Sequence, residues 1–85
     1  MNENEARVNV TYGGANGDLP DPVFFDSTDA DIKAMVAEAI RSGSIPGIPH
    51  RQDATLEDFV VDRFRANEQR PYPLVQIRPK TPFGG

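Results

Sequence analysis

The sequence predicts an α+β fold in which strands precede and follow a single amphipathic helix. Residues 7–12 alternate strictly between polar and apolar side chains, which is typical of a half-buried strand. Residues 28–41 place apolar side chains at helical spacing behind a capping sequence. A second alternating segment, 74–78, follows near the C-terminus. We therefore expect one sheet packed against one helix.

The first strand is predicted to pair in a hairpin with a long connection. One apolar face of this strand is formed by Val8, Val10 and Tyr12. Residues 13–18 are dense in turn formers and are predicted to be a loop. Because Pro20 and Pro22 cannot donate to a sheet ladder, the second strand is predicted only at 23–25.

The helix carries the clearest start and stop signals in the chain. Residues 28–31 have the shape of a capping box, with Asp31 in the place that Glu usually takes. Arg41 and Gly43 indicate the C-terminal end. The apolar stripe that we expect to face the core consists of Ile32, Met35, Val36, Ala39 and Ile40.

A loop rich in Pro and Gly is predicted after the helix, over 44–50. Its two isoleucines, Ile45 and Ile48, are predicted to fold back onto the core. His50 is the single histidine of the chain. Since it stands in a polar loop, we expect a surface residue rather than a catalyst or a metal ligand.

The segment 55–64 fits either a helix or a strand. Its apolar spacing suits a helical stripe, yet 59–61 has the composition of a strand. The favoured interpretation is a short turn at 55–58 followed by a strand. After a polar connection, the last strand is predicted at 74–78, with Val75 and Ile77 on one face.

Composition narrows the function classes. A chain of 85 residues with net charge −4 and mixed charges argues against a nucleic-acid partner. Without cysteine there is no disulfide and no thiolate zinc site. With one histidine and no recognisable catalytic constellation, we expect neither an enzyme nor a bound cofactor or metal. Lacking a long apolar run or a signal-like N-terminus, the chain is expected to be a cytoplasmic monomer away from membranes.

The C-terminal segment carries the candidate functional residues. We expect a disordered segment at 1–6, a folded domain at 7–78 and a flexible reactive tail at 79–85. Gly84 and Gly85 have no Cβ, so the active site of an enzyme can close tightly around them. The other residues expected to bind a partner are Arg78 and Lys80, through acidic groups, and Phe83, through an apolar pocket. The alternative for the phenylalanine is loose packing on its own domain.

This order of elements resembles the β-grasp fold of the ubiquitin-like proteins over residues 7–85. Local matches are Asp26-Ser27-Thr28-Asp29, Gly47-Ile48-Pro49, Thr55-Leu56-Glu57-Asp58-Phe59 and Gly84-Gly85. The ending 78–85 is similar to that of short bacterial ubiquitin-like proteins. The resemblance implies a mixed four- to five-stranded sheet wrapped around the helix. The chain between 43 and 55 is too short for the two strands that ubiquitin has at this place. Residues 59–64 must therefore supply the missing strand, or the sheet has only four strands.

The resemblance also implies a function. A bacterial ubiquitin-like modifier is activated at its terminal carboxylate, here that of Gly85, by an ATP-dependent enzyme and transferred to an amine of a target protein. A conjugating enzyme and an isopeptidase are further candidate partners. Two alternatives remain open: a sulfur carrier with a thiocarboxylate at Gly85, and a non-covalent binding domain in which the glycines are incidental. Ubiquitin's apolar recognition patch has no clear counterpart in this sequence, so ubiquitin receptors are not expected partners.

Overall fold

A computed structural model describes residues 4–80 of the chain. The elements are β1 (Glu5–Tyr12), β2 (Ala15–Asp18), β3 (Val23–Phe24), α1 (Asp29–Arg41), β4 (Phe59–Phe64) and β5 (Leu74–Pro79). The strands form one mixed five-stranded sheet in the order β2-β1-β5-β4, and β3 also pairs with β1. β1 and β5 run parallel, while the other pairs are antiparallel. The predicted α+β class is confirmed, and the architecture is consistent with a ubiquitin-like β-grasp.

β1 begins earlier than the sequence pattern predicts. Glu5 and Ala6 pair with β3, and Ala6 is fully buried. The Asn4 carbonyl also accepts a hydrogen bond from the Phe25 N–H, at 2.7 Å. The predicted boundary at residue 6 is therefore wrong, because pairing with a distant strand extends β1 beyond its alternating segment.

The prediction of a loop over 13–18 is also wrong. Gly13 and Gly14 have φ angles of 59° and 83°, and they form a two-residue turn between β1 and β2. Turns of this kind need positive φ at both central residues, which Gly adopts at no steric cost. The residues of β2 are poor strand formers, so its pairing with β1 overrides local propensity.

β2 and β3 lie end to end along the same edge of β1. Between them, the Leu19 N–H donates to the Val8 carbonyl at 2.9 Å. Pro20 and Pro22 interrupt the strand there, since neither carries an N–H. Pairing of the predicted second strand with β1 is confirmed, but the turn that reverses the chain lies at Gly13 and Gly14.

The predicted helix signals are confirmed. Thr28 is the N-cap, and its hydroxyl accepts a hydrogen bond from the Asp31 N–H at 3.1 Å. Gly43 has a φ of 71°, and the Ser44 N–H donates to the Ala39 carbonyl at 2.9 Å. This pattern of a left-handed residue and a long backward hydrogen bond is a common helix ending.

One residue of the predicted core stripe is misplaced. The buried helix residues are Ile32, Val36, Ala37 and Ile40. Met35 is 41% exposed and lies at the groove between α1 and β3, so its placement in the core is wrong. The buried side of the helix is therefore rotated relative to the prediction: it includes Val36 and Ala37 but not Met35.

The segment between α1 and β4 covers one end of the core. Its buried residues are Ile45, Ile48, Ala54 and Leu56, as predicted for the two isoleucines. The Phe59 N–H donates to the Leu56 carbonyl at 3.0 Å, so a short turn leads into β4. The favoured interpretation of 55–64 is confirmed, and β4 supplies the strand that the four-stranded alternative would have lacked.

The two faces of the sheet differ sharply. The inner face packs on α1 through alternating residues of β1 and β5, which include Val8, Val10, Val75 and Ile77. The outer face carries Arg7, Asn9 and Thr11 on β1 and their neighbours on β5 and β4. Within residues 4–80, no helix is long and apolar enough to cross a lipid bilayer.

Candidate functional site at the end of the last strand

β5 is an interior strand, and it forms the base from which the C-terminal segment departs. It lies between β1 and β4, and its inward residues Val75 and Ile77 are almost completely buried. Two neighbouring strands and the core thus fix the strand in place. Phe83, Gly84 and Gly85, the predicted anchor and reactive residues, lie outside the described residues.

Arg78 lies within β5, as predicted for the last strand. It pairs with Val60 of β4, and its Nε donates to the Asp62 carboxylate at 3.0 Å. Both side chains remain partly exposed, at 41% and 33%. The predicted strand position of Arg78 is confirmed, and the guanidinium of this candidate partner-binding residue is held against the outer face of the sheet by a carboxylate of the same domain.

Lys80 is the first residue beyond β5, and it is exposed. Pro79, just before it, still pairs with Phe59. Below this point, the Phe59 ring stacks on the Tyr12 ring with centroids 5.7 Å apart. Of the two candidate basic residues, Lys80 is thus the one that is exposed and lies beyond the last strand.

The outer face beside the end of β5 is polar. Asn9 and Asn16 exchange side-chain hydrogen bonds at 2.9 and 3.0 Å across β1 and β2. Asp18 and Thr11 accept further hydrogen bonds from these amides. This network helps to hold β2 in place, although the residues of β2 have low strand propensity. It also makes the outer face beside the end of β5 polar.

The two lysines of the chain differ in their surroundings. The Lys33 ammonium donates to the Glu57 carbonyl at 3.2 Å, and its side chain lies along the segment that precedes β4. Lys80 is exposed at the base of the tail. The Lys80 side chain is therefore the more exposed of the two.

Other candidate chemistry does not form a cluster. His50 is exposed in the loop after α1, as predicted. Among residues 4–80, no group of three or more His, Cys, Asp or Glu side chains is placed to hold a metal ion.

Sequence reasoning missed one residue that organises the fold near the helix. Arg63 lies on the inner face of β4, where its guanidinium donates to the Phe25 and Ser27 carbonyls and to Asp29, each at 2.6 Å. These acceptors are more than 30 positions away in sequence. The sequence held one indication of this role: Arg63 is a charged residue at an inward-facing position of a predicted strand.

Comparison of the chain with protein-family models, with curated proteins and with solved structures found no match.

Proposed function

We propose that this chain is a ubiquitin-like protein modifier that is activated at the Gly85 carboxylate and transferred to an amine of a target protein. The observation that carries the proposal is the position of β5. This interior strand ends at Pro79, and an exposed Lys80 leads into a five-residue segment that ends in Gly84-Gly85. A rigid base with a slim, glycine-ended extension suits insertion into an enzyme channel.

The chemistry requires only the carboxylate from this chain. An oxygen of the Gly85 carboxylate attacks the α-phosphorus of ATP and displaces pyrophosphate, which gives an acyl adenylate. A cysteine thiolate of the activating enzyme then displaces AMP and forms a thioester. Finally, an amine of the target attacks the same carbonyl carbon, releases the thiolate and loses a proton. Each covalent intermediate divides a difficult acyl transfer into easier steps.

The β-grasp architecture is equally compatible with a sulfur carrier. In that case sulfur replaces one oxygen of the Gly85 carboxylate, and the thiocarboxylate donates it to a biosynthetic enzyme. A non-covalent binding domain would leave Gly85 unmodified. The modifier proposal differs from both because it requires an amide bond between Gly85 and another protein.

The proposal can be tested with an N-terminally tagged chain expressed in cells of the source organism and recovered under denaturing conditions. We expect species whose mass exceeds that of the chain by the mass of a target protein. The variant Gly84→Ala with Gly85→Ala should abolish them and leave the unfolding midpoint unchanged, since both positions lie beyond β5.

A matched surface variant controls for general effects of mutation. Arg51→Gln changes an exposed residue in the loop after α1, so it should retain the conjugates. Conjugates that persist in the double glycine variant would overturn the proposal. Free chain with one terminal oxygen replaced by sulfur would identify a sulfur carrier instead.

A further inference from the structure

A groove between α1 and β3 carries two large apolar side chains at the surface. Phe24 of β3 is 65% exposed, and Met35 of α1 is 41% exposed. Pro22, Val23 and Ala34 line the same groove. Single apolar residues scattered over a surface are ordinary, but two large ones within one concavity mark a candidate interaction site.

The core of the domain does not use the Phe24 ring. Its neighbour Val23 is buried within the core, and successive side chains of a strand point to opposite sides. On the other side in sequence, Phe25 packs against the core and lies beneath the Arg65 guanidinium. A polar residue in place of Phe24 would therefore cost little stability, so binding explains an aromatic ring at this position better than folding does.

Carboxylates surround the apolar part of the groove. Asp31 lies one turn before Met35 on α1, and Glu38 lies one turn after it. Asp21 lines the stretch that continues the groove past Met35, and Glu5 of β1 lines the first stretch. Among residues 4–80, no Lys or Arg side chain lines either stretch. We call this concavity the acidic groove.

Two of these carboxylates have no cationic partner within the described part of the chain. Asp21 and Asp31 are exposed, and neither forms a salt bridge with any of residues 4–80. Glu38 has the Arg41 guanidinium at 4.0 Å, and both side chains remain exposed, at 75% and 44%. These acidic side chains are therefore accessible to a partner.

Cationic side chains on the adjoining elements do not offset this charge. Lys33 lines a different concavity of α1, where it donates to the Glu57 carbonyl. Arg63 donates to the Ser27 carbonyl, but its charge is paired with the Asp29 carboxylate at 2.6 Å. The acidic groove is thus a local excess of negative charge around an apolar floor.

This combination selects among possible occupants. An apolar floor accommodates an apolar side chain, and a rim of carboxylates attracts Lys or Arg. Anionic lipid headgroups and the phosphates of nucleic acid would be repelled. A second copy that presented the same groove would bring carboxylates against carboxylates. A basic protein segment with an apolar residue is the occupant that satisfies both features.

We infer that the acidic groove is a docking site for a basic segment of a partner protein that inserts an apolar side chain beside Phe24 and Met35. Seven residues separate Asp31 from Glu38, which is about 10 Å along the helix axis. In an extended segment, alternate side chains point to one side and lie about 7 Å apart. A Lys or Arg two positions before and two positions after the apolar residue therefore suits this spacing.

The acidic groove lies far from the base of the tail. β3 pairs with Glu5 and Ala6 at the start of β1. Tyr12, at the other end of β1, stacks on Phe59, which pairs with Pro79 just before the tail. The eight residues of β1 span about 24 Å between these two ends. The inference therefore goes beyond the proposed function and does not depend on conjugation of the C-terminus.

The test is a titration of the isotopically labelled full chain with a synthetic peptide, followed by nuclear magnetic resonance. The peptide carries arginine, serine, leucine, serine and arginine in that order, flanked by glycine and serine. Shift changes should concentrate at Phe24, Ala34 and Met35. Two control peptides, one with glutamine for both arginines and one with alanine for leucine, should each bind at least about fivefold more weakly, because they lose the charge and the apolar anchor respectively.

A matched pair of double variants tests the role of charge. Asp21→Asn with Asp31→Asn should weaken binding at least about fivefold and make it less sensitive to salt, because both changes remove carboxylates of the acidic groove. Asp53→Asn with Asp58→Asn removes the same charge at exposed positions elsewhere. This control should change the affinity less than about twofold.

A second pair tests the apolar contact. Phe24→Ser should weaken binding about tenfold and leave the unfolding midpoint almost unchanged, since that side chain is 65% exposed. Phe64→Ser is the control, because Phe64 is also exposed, at 41%, but does not line the acidic groove. It should leave the affinity unchanged. The unfolding midpoint of every variant checks that the fold is retained.

Several results would overturn the inference. These are an absence of shift changes, changes centred outside the acidic groove, equal weakening in a control variant, or undiminished binding of either control peptide. Shift changes at Phe24 and Met35 on dilution of the chain alone would also overturn it, because they would identify a second copy as the occupant.

Discussion

The Arg63 guanidinium binds the Asp29 carboxylate at 2.6 Å and thereby joins the edge strand β4 to the first turn of α1. The same guanidinium donates to the carbonyls of Phe25 and Ser27. Among residues 4–80, β4 pairs with one strand only, namely β5. Arg63 therefore provides a second attachment of this edge strand to the body of the domain.

We predict that the two partners of this ion pair contribute unequally to stability. Arg63→Lys should lower the free energy of unfolding by about 1.5–3 kcal/mol, because one ammonium cannot reach all three acceptors. Asp29→Asn should cost less than about 1 kcal/mol, since that side chain is 63% exposed. Chemical denaturation of both variants measures the difference. Equal losses of unfolding free energy in the two variants would show that the hydrogen bonds from Arg63 to the backbone carbonyls contribute little to stability.

A second prediction concerns Gly17, where β2 meets the loop after α1. A Cβ at this position would lie 2.3 Å from the Pro46 carbonyl oxygen and 2.9 Å from the Ile45 side chain. Gly17→Ala should therefore destabilise the domain by about 1–3 kcal/mol. Gly13→Asn is the control, because its Cβ would contact nothing within 4 Å and Asn tolerates the φ of 59°. A neutral Gly17→Ala would mean that the loop packs elsewhere.

A third prediction separates the buried and exposed residues of α1. Ile40 is 1% exposed, so Ile40→Ala should cost about 2–5 kcal/mol. Met35→Ala should cost less than about 1 kcal/mol, because the Met35 side chain lies largely at the surface. Thermal or chemical unfolding of the two variants compares them directly. A larger loss of stability for Met35→Ala than for Ile40→Ala would show that a different face of the helix is buried in the core.

The fourth prediction concerns the base of the tail and rests on the proposed function. In an ATP-supplemented extract of source cells, Lys80→Glu should slow conjugation several-fold at low salt and less at high salt, because exposed charges act mainly on encounter. Arg78→Ala should have a smaller effect, since that guanidinium already binds Asp62. Arg51→Glu is the control for charge reversal at a distance. An equal slowing by the control would contradict a role for Lys80.

Much of the fold was predictable from local patterns. Alternation in β1 and β5 identified their buried faces, since side chains of a strand point alternately to opposite sides. Thr28 and Gly43 marked the ends of the helix because capping depends on only a few neighbouring residues. Of the two alternatives that the short connection after the helix left open, a strand at 59–64 is the one observed.

The errors have two physical causes, namely the pairing of a segment with poor strand propensity and contacts between residues distant in sequence. β2 is a strand because β1 and a network of asparagine side chains hold it, although its own residues favour a turn. The hydrogen bonds of Arg63 to Phe25, Ser27 and Asp29 bring together residues that local periodicity cannot relate. Of the candidate site, the sequence placed Arg78 in the last strand and Lys80 beyond it, but it did not reveal the ion pair between Arg78 and Asp62, which strand pairing brings together.

Mass spectrometry of proteins from the source cells tests the proposed function most directly. Under denaturing conditions, trypsin should cleave after Lys80, leaving Thr81-Pro82-Phe83-Gly84-Gly85 attached to the modified lysine of a target. The proposed function predicts this remnant on lysines of other proteins, and its absence when Gly84 and Gly85 are both replaced by alanine. Recovery of Gly85 only as a free carboxylate or thiocarboxylate, with the remnant on no protein, would contradict it.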